Sequence, residues 1–234
     1  MKQTLIVLFI LLLSHILPAQ GFEANVQKDT STNYKKSFLE MYFTLNNFYI
    51  TDKDHFSNKK GSGFEFGMLY KWKLAKMFGV YVGLSLADNN FALKQDSTIN
   101  FPTNTLYDEA KIELNGIRLT PGITFSPAKK CNPHKIGINL HPFIEYYWTR
   151  NLIVKNKINS TQPPYAKEFT TTFSKLSYIN NFSYGISGEF TAYGVSIGVA
   201  YYLSDIVKPD FTKSHNWPQF PNIKIYAKYT ISLE

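Results

Sequence analysis

Eight segments of the chain alternate apolar and polar residues with a period of two, and none has a convincing helical period. This alternation predicts β-strands with one apolar face each. In the fourth segment, Ile112 and Leu114 have the opposite parity to the later apolar positions, which predicts a β-bulge near Asn115-Gly116. The apolar positions of the eight segments span 39–45, 64–72, 80–86, 112–125, 136–148, 176–190, 193–203 and 223–233.

The connections between these segments alternate in length. Long connections are expected at roughly 51–60, 88–108, 155–172 and 205–219, and short ones at 73–76, 126–134 and 191–192. Short periplasmic turns and long outer loops are typical of up-and-down barrels in an outer membrane. The sequence therefore predicts an all-β fold, an eight-stranded antiparallel up-and-down transmembrane β-barrel.

The N-terminus predicts export. Lys2 precedes the apolar run Leu5–Leu13, and small residues follow at Pro18-Ala19-Gln20-Gly21, as in a secretory signal peptide. A membrane anchor is the alternative, but the run is too short to span a bilayer comfortably. We therefore expect a cleaved signal peptide over 1–19, with cleavage after Ala19 or as late as Gly21. A short irregular periplasmic segment over 20–34 and the barrel over 35–234 would follow.

The polar face of the strands carries a balanced set of charges. An eight-stranded barrel has an interior just wide enough to be filled by side chains, and buried charges need partners. We expect a charge-paired network that plugs the lumen, with at least two members, Lys71 first among them, in water near the strand ends. The four acids and four bases are Glu40, Glu65, Lys71, Arg118, Glu145, Glu189, Lys224 and Lys228.

Alternation alone does not decide which face is inside, so a soluble lipocalin-like ligand-binding barrel is the rival fold. The polar face is rich in glycine, which a solvent-exposed strand tolerates poorly. Aromatic residues near the ends of the apolar stripes also favour lipid outside, because transmembrane barrels carry aromatic girdles at both interfaces. The predicted girdle residues are Tyr70, Trp72, Tyr146, Trp148, Tyr193 and Tyr201.

The charge and the cysteine content limit which classes of partner and which covalent links we expect. The net charge is +8, but the bases are nearly all dispersed lysines, with Arg118 and Arg150 as the arginines. Nucleic acid is therefore not expected as a partner. A basic surface suits the anionic headgroups of outer-membrane lipid, including lipopolysaccharide. The single cysteine, Cys131, excludes an internal disulfide.

Candidate catalytic and metal-binding residues are few. Cys131 and His134 supply two ligands where a structural zinc site needs four, so we expect no metal and no cofactor. A deacylase-like Ser/His pair around His141 is one enzymatic alternative. A palmitoyltransferase-like site at the outer rim is another, but its acyl chain needs an apolar tunnel, whereas the lumen is charged. The rim residues for it are Asp52, Asp54, His55, Ser57, Asp96 and Ser97.

With its leader, its eight amphipathic segments and its terminal segment IKIYAKYTISLE, the chain resembles the small outer-membrane β-barrels of the PorT-like group. More distantly it resembles the OmpA/OmpX-type barrels. The resemblance covers roughly the whole mature chain and is one of architecture and composition. The terminal segment departs from the usual assembly signal by ending on Glu234 rather than on an aromatic residue.

This resemblance implies residence in the outer membrane of a Gram-negative cell. In PorT-like proteins it also implies a role in a protein secretion apparatus. We therefore expect a non-enzymatic structural, assembly or secretion-associated role, with outer-membrane lipid and other secretion or envelope proteins as partners. The alternatives are a lipid-modifying outer-membrane enzyme and the lipocalin-like barrel.

Overall fold

The structure is a computed structural model that describes residues 37–52, 56–57, 61–75, 77–94, 106–126, 136–157, 168–211 and 219–233. The expected signal peptide over 1–19 and the segment over 20–34 lie outside the described residues. Cys131 and His134 lie outside them as well. In the parts of the chain that are described, no helix is long and apolar enough to cross a membrane.

The described residues form antiparallel strands that close into a ring. The strands are β1 (Ser37–Tyr49), β2 (Ser62–Lys73), β3 (Phe78–Leu93), β4 (Glu109–Phe125), β5 (Ile136–Lys157), β6 (Glu168–Phe173), β7 (Phe182–Ala192), β8 (Val195–Tyr202) and β9 (Ile223–Leu233). Eight of them follow one another in the order β4-β3-β2-β1-β9-β8-β7-β5, and the pairing of β4 with β5 closes the ring. The predicted eight-stranded barrel is therefore confirmed. The remaining strand, β6, pairs with the outer part of β5.

The barrel turns its apolar face outward. Large apolar side chains are exposed on the outer face of all eight ring strands, from Phe43 on β1 to Ile231 on β9. This belt ends at one level on neighbouring strands, because Leu86, Ile117 and Tyr146 are cross-strand partners. The next outward pair, Asp88 and Asn115, is polar. Such a belt faces lipid, so the lipocalin-like alternative is wrong.

Above the belt, at the end with the long connections, the inside of the barrel becomes apolar. β3, β4 and β5 continue beyond the belt, and residues such as Phe91 and Ile112 are fully buried there. On β4, both Ile112 and Arg118 face the inside of the barrel. The apolar side chains of β4 therefore change from the outer to the inner face above the belt, because water rather than lipid surrounds the barrel there. We call this layer the cap core; it consists of Phe48, Phe56, Phe91, Leu93, Ala110, Ile112, Leu114, Phe143, Tyr147, Leu152, Val154, Leu176, Ile179, Ala200, Tyr202, Ile206, Val207 and Tyr226.

The expected irregularity near Asn115-Gly116 is confirmed, but its extra residue lies on β5. Between Asn115 and Gly116 the partner on β5 changes from Thr149 to Tyr147, which leaves Trp148 as the additional residue. Below this bulge the odd-numbered side chains of β5 face inside, and above it the even-numbered ones do. The bulge therefore allows β5 to contribute both to the lumen and to the cap core.

The outer connections differ from expectation in two places. β3 continues to Leu93, so the connection expected over 88–108 begins later. The connection expected over 155–172 contains β6, which forms because β5 extends far enough above the belt to pair with it. The sixth predicted segment begins as a strand only at Phe182, and Leu176 and Ile179 before it are buried in the cap core.

The tight turn between β7 and β8 lies two residues later than predicted. Tyr193 and Gly194 occupy it, with φ of 52° and 82°. Positive φ at both central residues is the requirement of a type I′ hairpin turn. Glycine adopts this conformation without strain, and Tyr193 is 74% exposed on the outside of the turn.

Candidate functional site: the barrel interior

All eight charged residues that the sequence assigns to the lumen lie inside the barrel. None is more than 7% exposed. Lys71, expected in water, is 7% exposed and reaches inward to Glu40, with 2.7 Å between Nζ and Oε2. That expectation was wrong, because a lysine near a strand end can bury its stem and still pair with a carboxylate.

Four of these residues form one cluster in the lumen, which we call the four-membered cluster: Glu65, Arg118, Glu145 and Lys224. Arg118 Nη1 lies 2.8 Å from Glu65 Oε1 and 3.4 Å from Glu145 Oε1. Lys224 Nζ lies 2.5 Å from the same Glu65 oxygen and 3.5 Å from that of Glu145. Each carboxylate therefore contacts both cations, and the formal charges cancel inside a low-dielectric interior.

Aromatic side chains complete the surroundings of this cluster. Tyr147 and Tyr202 donate hydrogen bonds to Glu145, with Tyr202 3.1 Å from each carboxylate oxygen. The Arg118 guanidinium lies 3.9 Å from the centroid of the Phe143 ring, a cation–π contact. The tyrosine hydrogen bonds satisfy those lone pairs of the Glu145 carboxylate that do not face Arg118 or Lys224.

Two further ion pairs lie closer to the periplasmic end. Lys228 pairs with Glu189, whose carboxylate also accepts hydrogen bonds from Asn139 Nδ2 at 2.7 Å and from the Tyr226 hydroxyl at 3.2 Å. Lys71 and Glu40 form the other pair. The lumen therefore contains one acid for every base at each of its charged levels.

Little space remains between these groups. A cavity of about 20 Å³ lies between the four-membered cluster and the Glu189–Lys228 pair, with Tyr42 and His141 among its lining residues. This volume holds about one water molecule. Towards the outside, the rings of Phe48 and Tyr202 belong to the cap core and lie 5.8 and 5.6 Å from Lys224 Nζ.

Glycines on the inner face make room for the aromatic rings. A Cβ added at Gly185 would lie 2.1 Å from the main-chain oxygen of Tyr201 and 2.6 Å from the Phe143 ring. No side chain fits there without moving the backbone. The glycine content of the polar face therefore follows from close packing inside the barrel.

The predicted girdle residues lie on the outer face at two levels. Tyr70, Trp72 and Tyr193 lie towards the periplasmic turns, and Tyr70 and Trp72 pack edge to face with 4.4 Å between ring centroids. At the opposite end of the belt, Tyr146 and Tyr201 are 40% and 43% exposed. Trp148 is there too, at the bulge of β5.

Two of the six rim residues weighed for catalysis lie among the residues that the structure describes. Asp54, His55, Asp96 and Ser97 lie outside the described residues, whereas Asp52 and Ser57 lie within them.

His141 faces the lumen and is 8% exposed, and its Nδ1 lies 2.6 Å from the Tyr81 hydroxyl. The nearby Ser187 hydroxyl donates to the His141 main-chain oxygen rather than to the ring. A deacylase-like pair at His141 is therefore not supported, because its ring does not face the lipid.

Sequence reasoning missed the neutral members of the network, which are Tyr147, Tyr202, Asn139 and Tyr226. The alternation of the strands could have identified them, because residues two apart on a strand face the same side. Tyr147 follows Glu145 by two residues, and Tyr226 stands between Lys224 and Lys228. The ring of strands, the lipid-facing belt and the filled interior together decide the class of protein. The chain is an outer-membrane β-barrel protein.

Comparisons with known proteins add little detail. No protein-family model matches the chain, and no curated protein matches it significantly. Among solved structures it is similar to Ail, the attachment invasion locus protein of Yersinia pestis. One Ail structure, in complex with the heparin analogue sucrose octasulfate, has 12% identity and a TM-score of 0.28, and covers 84% of this chain and 98% of Ail. A second has 10% identity and a TM-score of 0.33, and covers 85% and 100%.

Proposed function

We propose that the chain is a sealed, non-enzymatic barrel with a structural, assembly or protein-secretion-associated role at the outer membrane. The observation that carries this proposal is the filled interior, in which the four-membered cluster lies beneath the cap core. The interior of an eight-stranded barrel is just wide enough to be filled by its own side chains. Two surfaces that remain for partners are the lipid-facing belt and the extracellular cap, by which we mean the part of the barrel above the belt, including β6.

Planar-bilayer recording tests the sealed interior. The purified, folded protein is expected to insert without giving a steady conductance, because a charge pathway through the lumen would have to displace paired groups. A water-filled porin of roughly 16 strands in the same bilayer serves as the positive control. A steady open conductance at low voltage would overturn the sealed-barrel proposal.

The extracellular cap offers a surface for another envelope or secretion protein. β6 lies above the belt, and among the strands that the structure describes it pairs with β5 alone, so no described strand covers its other edge. Its Phe169 and Phe173 are 55% and 41% exposed. Open strand edges with exposed apolar side chains favour association with a further chain. This feature supports an assembly or secretion role.

In-cell photo-crosslinking tests this part of the proposal. A photoreactive residue in place of Phe169 is expected to give a discrete protein adduct, whereas one in place of Ile186, which is 54% exposed on the lipid-facing belt, should react with lipid. Outer-membrane lipid, including lipopolysaccharide, is thus the second partner that we propose. Lipid adducts alone at both Phe169 and Phe173 would contradict a role with a protein partner.

A further inference from the structure

A cavity of about 220 Å³ opens at the extracellular end of the barrel, between the end of β8 and the start of β9. It has room for several water molecules, each of which takes about 30 Å³ in the liquid. None of the eight network charges lines this cavity. It is therefore a separate feature from the lumen, and it lies where molecules outside the cell can reach it.

The floor of the cavity is apolar and fixed in place. Tyr202, Ile206 and Val207 line it and are no more than 3% exposed. The Phe220 ring also lines it and packs edge to face on Phe91, with 5.1 Å between centroids. Because the cap core holds these side chains, the floor keeps its shape without a ligand.

One wall of the cavity is held by hydrogen bonds to the preceding connection. The main-chain amide of Asn180 donates to the Ile206 main-chain oxygen at 2.8 Å. The Asn180 side-chain Nδ2 donates to the Asp205 main-chain oxygen, also at 2.8 Å. The Lys208 amide donates to the Tyr178 main-chain oxygen at 2.9 Å. A wall that is ordered in advance lowers the entropy cost of binding a ligand.

The rim of the cavity is polar. Asp205, Gln219 and Asn222 line it and are all exposed. Among the residues that the structure describes, none of these three side chains has a hydrogen-bond or ion-pair partner. Their groups are therefore available to a ligand: one carboxylate that accepts, and two amides that both donate and accept.

We propose that this cavity binds a neutral saccharide through a single sugar ring. A sugar hydroxyl donates and accepts at once, which matches the amides of Gln219 and Asn222, while Asp205 accepts from a pair of hydroxyls. The C–H face of the ring packs against Phe220 and Pro221. The apolar floor and the polar rim thus give the C–H face and the hydroxyls of one sugar ring each a matching surface.

The same lining argues against charged ligands. None of the nine lining residues that the structure describes is basic, so an anionic ligand would find no cation there to offset the Asp205 carboxylate. A cationic ligand would pair with Asp205 but would accept no hydrogen bond from the amides of Gln219 and Asn222. The free sugar and the terminal sugar of a surface glycan share the chemistry that the cavity recognises.

Saturation-transfer NMR on the folded full-length barrel in detergent tests the free sugar, with glucose, galactose, mannose and N-acetylglucosamine as probes. A glycan array carrying the same sugars at chain ends tests the surface source. We expect binding in at least one arm, weakened at least tenfold by Asp205→Ala and by Gln219→Ala. Asp210→Ala, an exposed residue of the same connection outside the cavity lining, is expected to stay within twofold.

The gel shift of unboiled samples shows in each case that the variant has folded. Binding in the first arm alone identifies a free sugar as the ligand, and binding in the second identifies a glycan end. The proposal is overturned by three results: no transfer from any probe in either arm, equal binding by Asp205→Ala, or stronger binding of a charged amine such as glucosamine than of the neutral sugars. None of these outcomes depends on the sealed lumen or on a protein partner.

Discussion

Arg118 on β4 donates to Glu65 on β2 across the interior of the barrel, with 2.8 Å between Nη1 and Oε1. β3 stands between these two strands in the sheet, so the ion pair joins strands that share no backbone hydrogen bonds. Because Lys224 on β9 contacts the same Glu65 oxygen, three strands meet at one carboxylate. The side chains in the lumen thus link strands of the ring that the backbone hydrogen bonds do not.

Replacing Arg118 with Met is expected to lower the free energy of unfolding by about 3–5 kcal/mol, because Glu65 and Glu145 would then share only Lys224. Urea titration of the barrel in lipid vesicles measures this change. Lys111→Met on the same strand is the matched control, since Lys111 lies 4.0 Å from Glu113 in a partly exposed pair. That control is expected to cost less than about 1 kcal/mol.

Removing one carboxylate should offset the loss of the cation. In the double variant Arg118→Met with Glu65→Gln, one acid and one base remain, Glu145 and Lys224. We expect the double variant to be more stable than Arg118→Met alone, because no charge is left unpaired. Equal stability of Arg118→Met and the wild-type protein would show that the network does not support the barrel.

A charge on the lipid-facing belt should be costly at its centre and tolerated above it. Val82 is the middle of the five outward residues of β3 between Phe78 and Leu86. Val82→Lys is expected to cost about 2–4 kcal/mol of unfolding free energy, as cations do near the bilayer midplane. Asn90→Lys, above the belt and opposite Glu113, should cost about 0–1 kcal/mol. Equal costs at the two positions would contradict this placement of the membrane.

Added volume at the inner glycines should be harder to accommodate than on the outer face. Gly185→Ala is expected to cost about 1–3 kcal/mol, because its Cβ would lie 2.1 Å from the Tyr201 main-chain oxygen. Gly188→Ala on the same strand should have a smaller effect, since the nearest atom to its Cβ would be the end of the flexible Leu140 side chain, at 3.2 Å. The urea midpoints of the two variants decide this; a larger loss for Gly188→Ala would argue against the packing.

The sequence alone predicts the strands and the side each one turns to lipid, because period-two alternation follows directly from the pleat. It does not predict β6, since EFTTTF has a strand partner only where β5 rises above the belt. The pairing of Arg118 with Glu65 was also beyond it, because the stagger of the strands sets which inner residues meet across the lumen. The cap core was visible only as the reversed parity of Ile112 and Leu114.

As the additional residue of the bulge, Trp148 determines which side chains of the upper part of β5 face inside. Deleting Trp148 tests that role. Without the extra residue, pairing with β4 would turn Leu152 and Val154 outward into water and empty part of the cap core. The deletion variant should still show the gel shift of a closed barrel, because β5 below the bulge is unchanged. On intact cells, proteinase K should cleave its outer connections faster than those of the wild-type protein. Trp148→Leu, which keeps the residue count, should stay as resistant as the wild-type protein; equal resistance of the deletion variant would mean that the bulge does not hold the cap core in place.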